Sequence, residues 1–360
     1  MTSCLKHVFF LFCFFTITSF CKTNYNKNIC DKKLHEDKWT WAYKKVFSDS
    51  ECLYNKNLDG ISFFKEDIKR FSQIIFSWNS ARPKVGGFLF HIKTKNAKSK
   101  KWSDWHKMFY WGSACQRSYY GSNSSSDYIH VRLETGLNNL SEAFKVIIEP
   151  CGGADLGLIK SVCACISDFN KFKPDIIDSK LLNLKSVHIK DVPKISQRLL
   201  DHKESSRICS PTSCSMLLGF FNKYFTDALS FTDSVFDPAL GSDGSYGNWC
   251  FNVAEVYCRS GGKVLCHVSR MNGFIDLYEK LLEGFPVIVS VRGKLEGGQK
   301  EYNSGHLIVV VGWDFISKSV ICHDPAFYTN ESTFVKYKLK TFLDCWGNSN
   351  KLAYVANFNL

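Results

Sequence analysis

No Cys-x-x-Cys pair occurs in a chain of 360 residues that carries 16 cysteines; Cys163 and Cys165 have one residue between them, Cys209 and Cys214 have four. That absence removes the usual ligand spacing of a structural zinc site. After the first 21 residues no apolar run approaches the roughly 20 residues that a membrane-spanning helix needs. A phosphate-cradling glycine loop, a metal-binding motif and a nucleic-acid module are missing too, so neither a cofactor nor a nucleic-acid partner is expected. There is no internal repeat.

What is present suits a folded, exported protein. Hydrophobic residues make up 45% of the chain and charged residues 22%, enough for conventional cores, and the length suggests about two domains. The opening MTSCLKHVFFLFCFFTITSFCK sets Lys6 and His7 before an apolar run from Val8 to Phe20. This reads as a secretory signal peptide over residues 1–21, cleaved near residue 21. The mature chain is then expected in the periplasm or outside the cell. Cys21 would be the lipidated residue of a lipoprotein, but Phe20 stands where such a signal has a small residue. In an oxidising compartment several later cysteines should pair, and a bond from Cys209 to Cys250 or Cys258 is one arrangement. The net charge of +12 comes from scattered lysines, with a short cluster at Lys93, Lys95, Lys98, Lys100 and Lys101. It reads as a solvated basic surface in an apparent turn, with attraction to an anionic envelope polymer or membrane surface as the rival account.

Residues 22–60 are polar, show little periodicity and read as an irregular lead-in. From 61 to 172 short apolar or alternating stretches follow, at Phe71 to Trp78, Gly87 to Lys93, Tyr128 to Leu133 and Phe144 to Glu149, separated by turn-forming residues. Many short strands with turn signals predict a β-sandwich. Residues 173–185 read as a linker. From 186 to 360 the pattern predicts an α+β domain: helices after Pro211, from Asn248 to Arg259 and from Asn272 to Glu283, then strands at Lys263 to His267, Pro286 to Val291, Leu307 to Trp313 and Ser319 to Cys322.

The chemistry concentrates in that second half. Pro211 suits the first turn of a helix, which places Cys209 at or just before a helix N-terminus, followed by an apolar face of Met216, Leu217, Phe220 and Phe221. Unpaired N–H groups and the helix dipole stabilise a thiolate there, lowering a cysteine pKa from about 8.5 to as little as ~3.5. His306 stands at the mouth of the apolar run Leu307 to Trp313. If that run and Ser319 to Cys322 form a hairpin centred on residue 315, His306 lies opposite Asp324 on one face. A nucleophile, a base and an orienting carboxylate would result. The amide of Gln197, twelve residues before Cys209, could donate to an oxyanion together with the Cys209 N–H.

Taken in order, Val192-Pro193 to Gln197, Cys209-Ser210-Pro211-Thr212-Ser213 with Met216, Gly284-Phe285-Pro286-Val287-Ile288-Val289, Gly305-His306 to Gly312-Trp313-Asp314 and Asp324-Pro325 resemble the C-39-like branch of papain-like cysteine peptidases, relatives of the peptidases that process bacteriocin leaders. The resemblance implies a papain-like fold over about 186–360, a Cys209–His306–Asp324 triad and Gln197 in the oxyanion hole. Two departures stand out. Ser210 replaces the usual glycine and would crowd the oxyanion side, and the Gln197-to-Cys209 interval is long. Ser77-Trp78-Asn79, Pro83, Gly86-Gly87 to Lys93, Trp102-Ser103-Asp104-Trp105 and Trp111-Gly112 resemble the β-sandwich that precedes some exported peptidases of this branch. Its tryptophans serve either as core or as platforms for envelope glycans.

The expectation is therefore an exported bacterial cysteine peptidase acting on a protein, a peptide or a cell-wall peptide. The alternatives are a catalytically silent envelope-binding protein on a peptidase scaffold, and acyl transfer in place of hydrolysis.

Overall fold

The structure, a computed structural model, describes residues 38–48, 51, 60–122, 128–223, 225 and 227–359. The expected signal peptide, Cys21 and most of the lead-in lie outside the described residues. The described residues fall within one compact unit.

The first half is built from strands β1 (Thr40–Val46), β2 (Ile61–Lys65), β3 (Gln73–Ser80), β4 (Gly87–Asn96), β5 (His106–Gly112), β6 (Gln116–Ser118), β7 (Gly121–Ser122), β8 (Tyr128–Ile129), β9 (Leu133–Glu134), β10 (Ser141–Cys151) and β11 (Ile159–Ser167). They make a six-stranded sheet, β1-β11-β3-β9-β8-β7, and a five-stranded sheet, β2-β10-β4-β5-β6. Aromatic rings meet between them: Trp78 of β3 stacks on Phe90 of β4 at 4.1 Å, and Phe76 meets Phe109 of β5 at 5.4 Å. Strand β1 corrects the reading of residues 22–60 as irregular. Its seven residues pair antiparallel with β11, and Thr40 reaches the Ile166 carbonyl and the Ser167 hydroxyl, contacts made across more than 120 residues of sequence. Lys93 and Lys95, expected in a turn, lie on β4.

The second half carries α1 (Ser179–Leu182), β12 (Val187–His188), α2 (Cys209–Phe221), α3 (Ala228–Asp233), α4 (Trp249–Arg259), β13 (Val264–Arg270), α5 (Phe274–Leu282), β14 (Val287–Lys294), β15 (Glu301–Asp314), β16 (Ser319–His323), β17 (Phe334–Lys338), α6 (Leu339–Gly347) and β18 (Leu352–Phe358). One antiparallel sheet holds it, in the order β13-β18-β14-β15-β16-β17, with β12 also on β15. Helix α2 is buried from Ser210 to Gly219. A helix wrapped by core on all sides cannot show one clean apolar stripe, which is why the face expected from Met216, Leu217, Phe220 and Phe221 is too narrow a description. The stretch read as a linker is pinned: Asp175 pairs with Lys351 at 2.9 Å and accepts from the Phe274 N–H.

Strand β3 joins the two halves because both of its faces are used, and all eight of its residues are buried. Side chains alternate across a strand. Ile74, Phe76 and Trp78 enter the aromatic core, while Gln73, Ser77 and Asn79 turn toward β13. Asn79 accepts the Cys266 N–H at 2.8 Å, Ser77 the Val268 N–H at 3.1 Å, and Gln73 the Arg270 Nε–H at 2.8 Å. The Arg270 N–H goes to the Cys165 sulfur at 3.2 Å. Across from this polar seam, Phe251 of α4 lies 6.0 Å from Trp78, 5.8 Å from Phe109 and 5.8 Å, stacked, from Trp111.

All eleven described cysteines beyond residue 60 are free thiols, which overturns the expectation of disulfides among them. Most are single buried side chains used as small hydrophobes. Cys163 and Cys165 share one face of β11 and are buried there.

If this shared core is what unites the two halves, Phe251→Ala should lower the unfolding free energy by about 3–5 kcal/mol and leave a single urea transition. Two separate transitions, one unmoved by the substitution, would contradict it.

Candidate active site

Cys209 opens α2, and Ile208 before it provides no side-chain cap. The helix start therefore presents backbone N–H groups at the cysteine. Two serines fix this end. Ser213 donates to the Leu307 carbonyl of β15 at 3.0 Å, and Ser210 shares a 3.0 Å hydrogen bond with the Tyr354 hydroxyl of β18. Ser210 is buried with its side chain turned into the core, so it does not crowd the open side of Cys209 as the sequence suggested.

The half-buried Cys209 thiol lies beside His306 and the Leu307 N–H, both of which act to lower its pKa. His306 Nε2 lies 2.7 Å from Asp324 Oδ1, which leaves Nδ1 as the ring nitrogen for the thiol. Burial pushes the Cys209 pKa up, but the neighbouring His306 charge and its hydrogen bond outweigh that, and the thiol ends below its ordinary range. Burial pulls His306 down, while Asp324 and the Cys209 sulfur raise it, to about 10. Burial likewise pushes Asp324 up, and the His306 charge and hydrogen bonds bring it below the usual carboxylate range. Both shifts run in the direction of a thiolate beside an imidazolium. By contrast burial raises Cys163, Cys214, Cys250, Cys258, Cys266, Cys322 and Cys345.

Asp324 is fully buried, a placement that costs several kcal/mol unless the charge is met by donors. It has four. Oδ1 takes His306 Nε2 and the Ala326 N–H at 2.9 Å; Oδ2 takes the hydroxyls of Tyr337 at 2.7 Å and Tyr302 at 3.1 Å. The ring of Tyr302 also stacks on His306 at 4.1 Å and 13°.

The expected hairpin needs correcting. Val309 faces His323 and Val310 faces Cys322, with an irregularity before Gly312–Ile321. Extended, that register sets position 306 against 326, two residues from the partner expected. A slip of two keeps the same face, and the carboxylate of Asp324, just past β16, still reaches the imidazole. A second irregularity lies beside the histidine. Val291 pairs with His306 but Gly293 with Tyr302, so β15 carries three residues, 303–305, against one on β14. Gly305 sits there at φ +91°, in a region open to glycine, and the bulge lets Tyr302 fold back over His306.

Gln197 opens a short 3-10 turn, Gln197–Leu199. Its backbone N–H donates to the Pro325 carbonyl at 2.9 Å, and its Nε2 donates to the Ser205 carbonyl at 2.8 Å. The second Nε2 hydrogen remains, since an amide nitrogen carries two. Gln197, Cys209 and His306 all line a cleft of about 1060 Å³. The first half of the chain supplies part of its wall, through Gln73, Arg132, Glu134 and Leu137 among others. Sequence reasoning missed Tyr302, Tyr337 and this wall. Tyr302, four residues before His306 on β15, offered a signal only through that even spacing. Among the described residues no group of His, Cys, Asp and Glu could hold a metal ion, and no helix is long and apolar enough to cross a membrane.

Tyr337→Phe removes one donor from a buried carboxylate and should cost about 1.5–3 kcal/mol of stability, the range for hydrogen bonds to charged groups. A urea midpoint equal to that of the unsubstituted protein would show that Asp324 does not depend on it.

Compared with known proteins, residues 189–354 match the model of the Peptidase_C39 like family. No curated protein and no solved structure matches the chain.

Proposed function

We propose that the chain, whose residues 189–354 match the model of the Peptidase_C39 like family, is a cysteine peptidase that hydrolyses peptide or amide bonds through an acyl-enzyme. The observation that carries this is the chain of contacts from the Cys209 thiol to His306 and from His306 to Asp324 at 2.7 Å. The family match supports a protein or peptide as substrate, and a cell-wall peptide is one form it would take.

In this mechanism the Cys209 thiolate attacks the scissile carbonyl carbon, and the carbonyl electrons move to oxygen. The Cys209 N–H at the helix start and the second Gln197 amide hydrogen receive that oxyanion. His306, protonated at Nδ1, gives its proton to the departing amine, leaving a thioester on Cys209. Water then attacks the thioester, His306 takes up the water proton, and the thiolate leaves. Asp324 stays ionised throughout and holds the ring by Nε2.

The inward turn of Ser210 removes the main reason for a silent scaffold. We place the working enzyme outside the cytosol on the strength of the N-terminal sequence. Glycan contact is assigned to Trp102 and Trp105, which are exposed with the Lys93 ammonium 5.1 and 4.6 Å from their ring centroids, whereas Trp78 and Trp111 are buried.

Iodoacetamide at about pH 6, where an ordinary thiol of pKa ~8.5 is protonated, should modify Cys209 in the purified chain, as read by peptide mapping. His306→Ala should abolish that modification. Hydrolysis should disappear in Cys209→Ala and fall by about 100- to 1,000-fold in Gln197→Ala. The lowered thiol and raised imidazole set the sign of the pH profile: reactivity is lost as pH falls through the depressed Cys209 pKa, and proton donation fades as pH rises toward about 10. Full hydrolysis by Cys209→Ala would end the peptidase reading.

A further inference from the structure

The cleft around Cys209 is strongly one-sided in charge. Arg132, Arg198, Arg207, Arg270, Arg292 and Lys300 line it, against two carboxylates, Glu134 and Glu301. Some of these charges are already committed. Arg132 pairs with Glu134 at 2.5 Å, and Arg270 is held by Gln73, Ser349 and Asn350. Arg207 meets Glu204 only at 3.5 Å, with both side chains exposed, an arrangement that contributes little. Arg292 and Lys300 are exposed on the rim.

Arg198 differs from the rest. It directly follows Gln197, its backbone N–H is anchored on Ser196 at 3.1 Å, and its Nε is buried without a hydrogen-bond partner. A buried guanidinium nitrogen left unpaired is costly, and the planar fork of arginine matches a carboxylate. Among the described residues its one ring contact is Tyr328, at 5.9 Å, and Tyr328 is largely exposed. The unsatisfied donor therefore sits beside the residue assigned to the oxyanion, where the substrate groups flanking the scissile bond must pass.

We propose that the cleft selects peptides bearing a carboxylate next to the scissile bond, and that Arg198 is the residue that reads it, with Arg207, Arg292 and Lys300 drawing acidic peptides toward it. This rests on the peptidase reading for its place in a reaction, but not for the binding itself. A carboxylate can come from an Asp or Glu side chain or from a peptide C-terminus. The basic field also acts at a distance, so the preference should weaken as salt shortens the Debye length from about 10 Å at ~0.1 M to ~3 Å at ~1 M.

The test uses the full chain and a mixed peptide library, with cleaved bonds identified by mass spectrometry. Asp or Glu should be enriched beside the bonds cut, by about tenfold or more over Asn or Gln. Matching libraries with free and amidated C-termini show which carboxylate is read. Arg198→Gln should erase the enrichment. Arg292→Gln, on the exposed rim, should lower it in part and serves if the first variant does not fold by its urea midpoint. Cleavage that depends on Cys209 yet shows no acidic enrichment would overturn the inference and leave the peptidase reading intact. If the chain cuts nothing, fluorescence anisotropy with labelled Glu-rich, Gln-rich and Lys-rich peptides decides the matter. Tighter binding of the Glu-rich peptide, lost in Arg198→Gln and at high salt, supports the inference while the peptidase reading fails. Equal binding of all three overturns it.

Discussion

The buried carboxylate of Asp324 is the constraint around which the second half of the chain is arranged. A charge with no access to water must find its partners within the protein, and here they arrive from three places. Strand β15 brings His306 and Tyr302, β17 brings Tyr337, and the turn after β16 brings the Ala326 N–H. Misplacing any of these elements would leave an unpaired charge or an unpaired donor. The same requirement that orders the sheet also aims the imidazole at Cys209, so the chemistry and the packing of this region are one problem with one solution.

Cys209 is held from the other side. Helix α2 is tied at its first turn to β15 by Ser213 and to β18 by Ser210, and it is surrounded by core along most of its length. Neither partner of the Cys209–His306 pair stands on a free loop. Such support holds the two side chains in a fixed geometry relative to each other. The pair lines a cleft to which residues of the first half also contribute, so the chain before residue 170 helps to shape that space.

Much of this was legible in the sequence, and the failures have physical causes. Pro211 marked the helix start at Cys209, because proline fits the first turn and few other helical positions. The apolar runs marked β14, β15 and β16, because a buried strand needs continuous β-branched and apolar residues. The partnership of His306 with Asp324 was found through a register that was two residues out. It survived because strand faces repeat every two residues, so an even slip preserves the side. Tyr302 and Tyr337 were missed because each stands in a stretch of polar or mixed residues, EYNSG and FVKYK, while the carboxylate its hydroxyl meets lies 22 or 13 residues away in sequence. Strand β1 was missed because a short, half-exposed edge strand with the sequence TWAYKKV carries little hydrophobic signal, and its pairing partner lies more than a hundred residues away. The cysteines misled for a different reason: their number suggested bonds, but pairing depends on two side chains facing one another, which composition does not report.

The polar side chains of β3 have one more effect. Strand β13 lies at the margin of the seven-stranded sheet, and its Cys266, Val268 and Arg270 N–H groups are taken up by Asn79, Ser77 and the Cys165 sulfur. An open strand margin is a template onto which another polypeptide can add. Here the margin is closed by side chains that are not themselves a strand partner. The cover is part of the same chain but is separated from β13 by 105 residues at Cys165 and by 187 and 191 at Asn79 and Ser77. A fragment beginning after the first half, or a nascent chain whose two halves have not yet met, would present that margin bare, and self-association would compete with folding at the place where the intact protein is sealed.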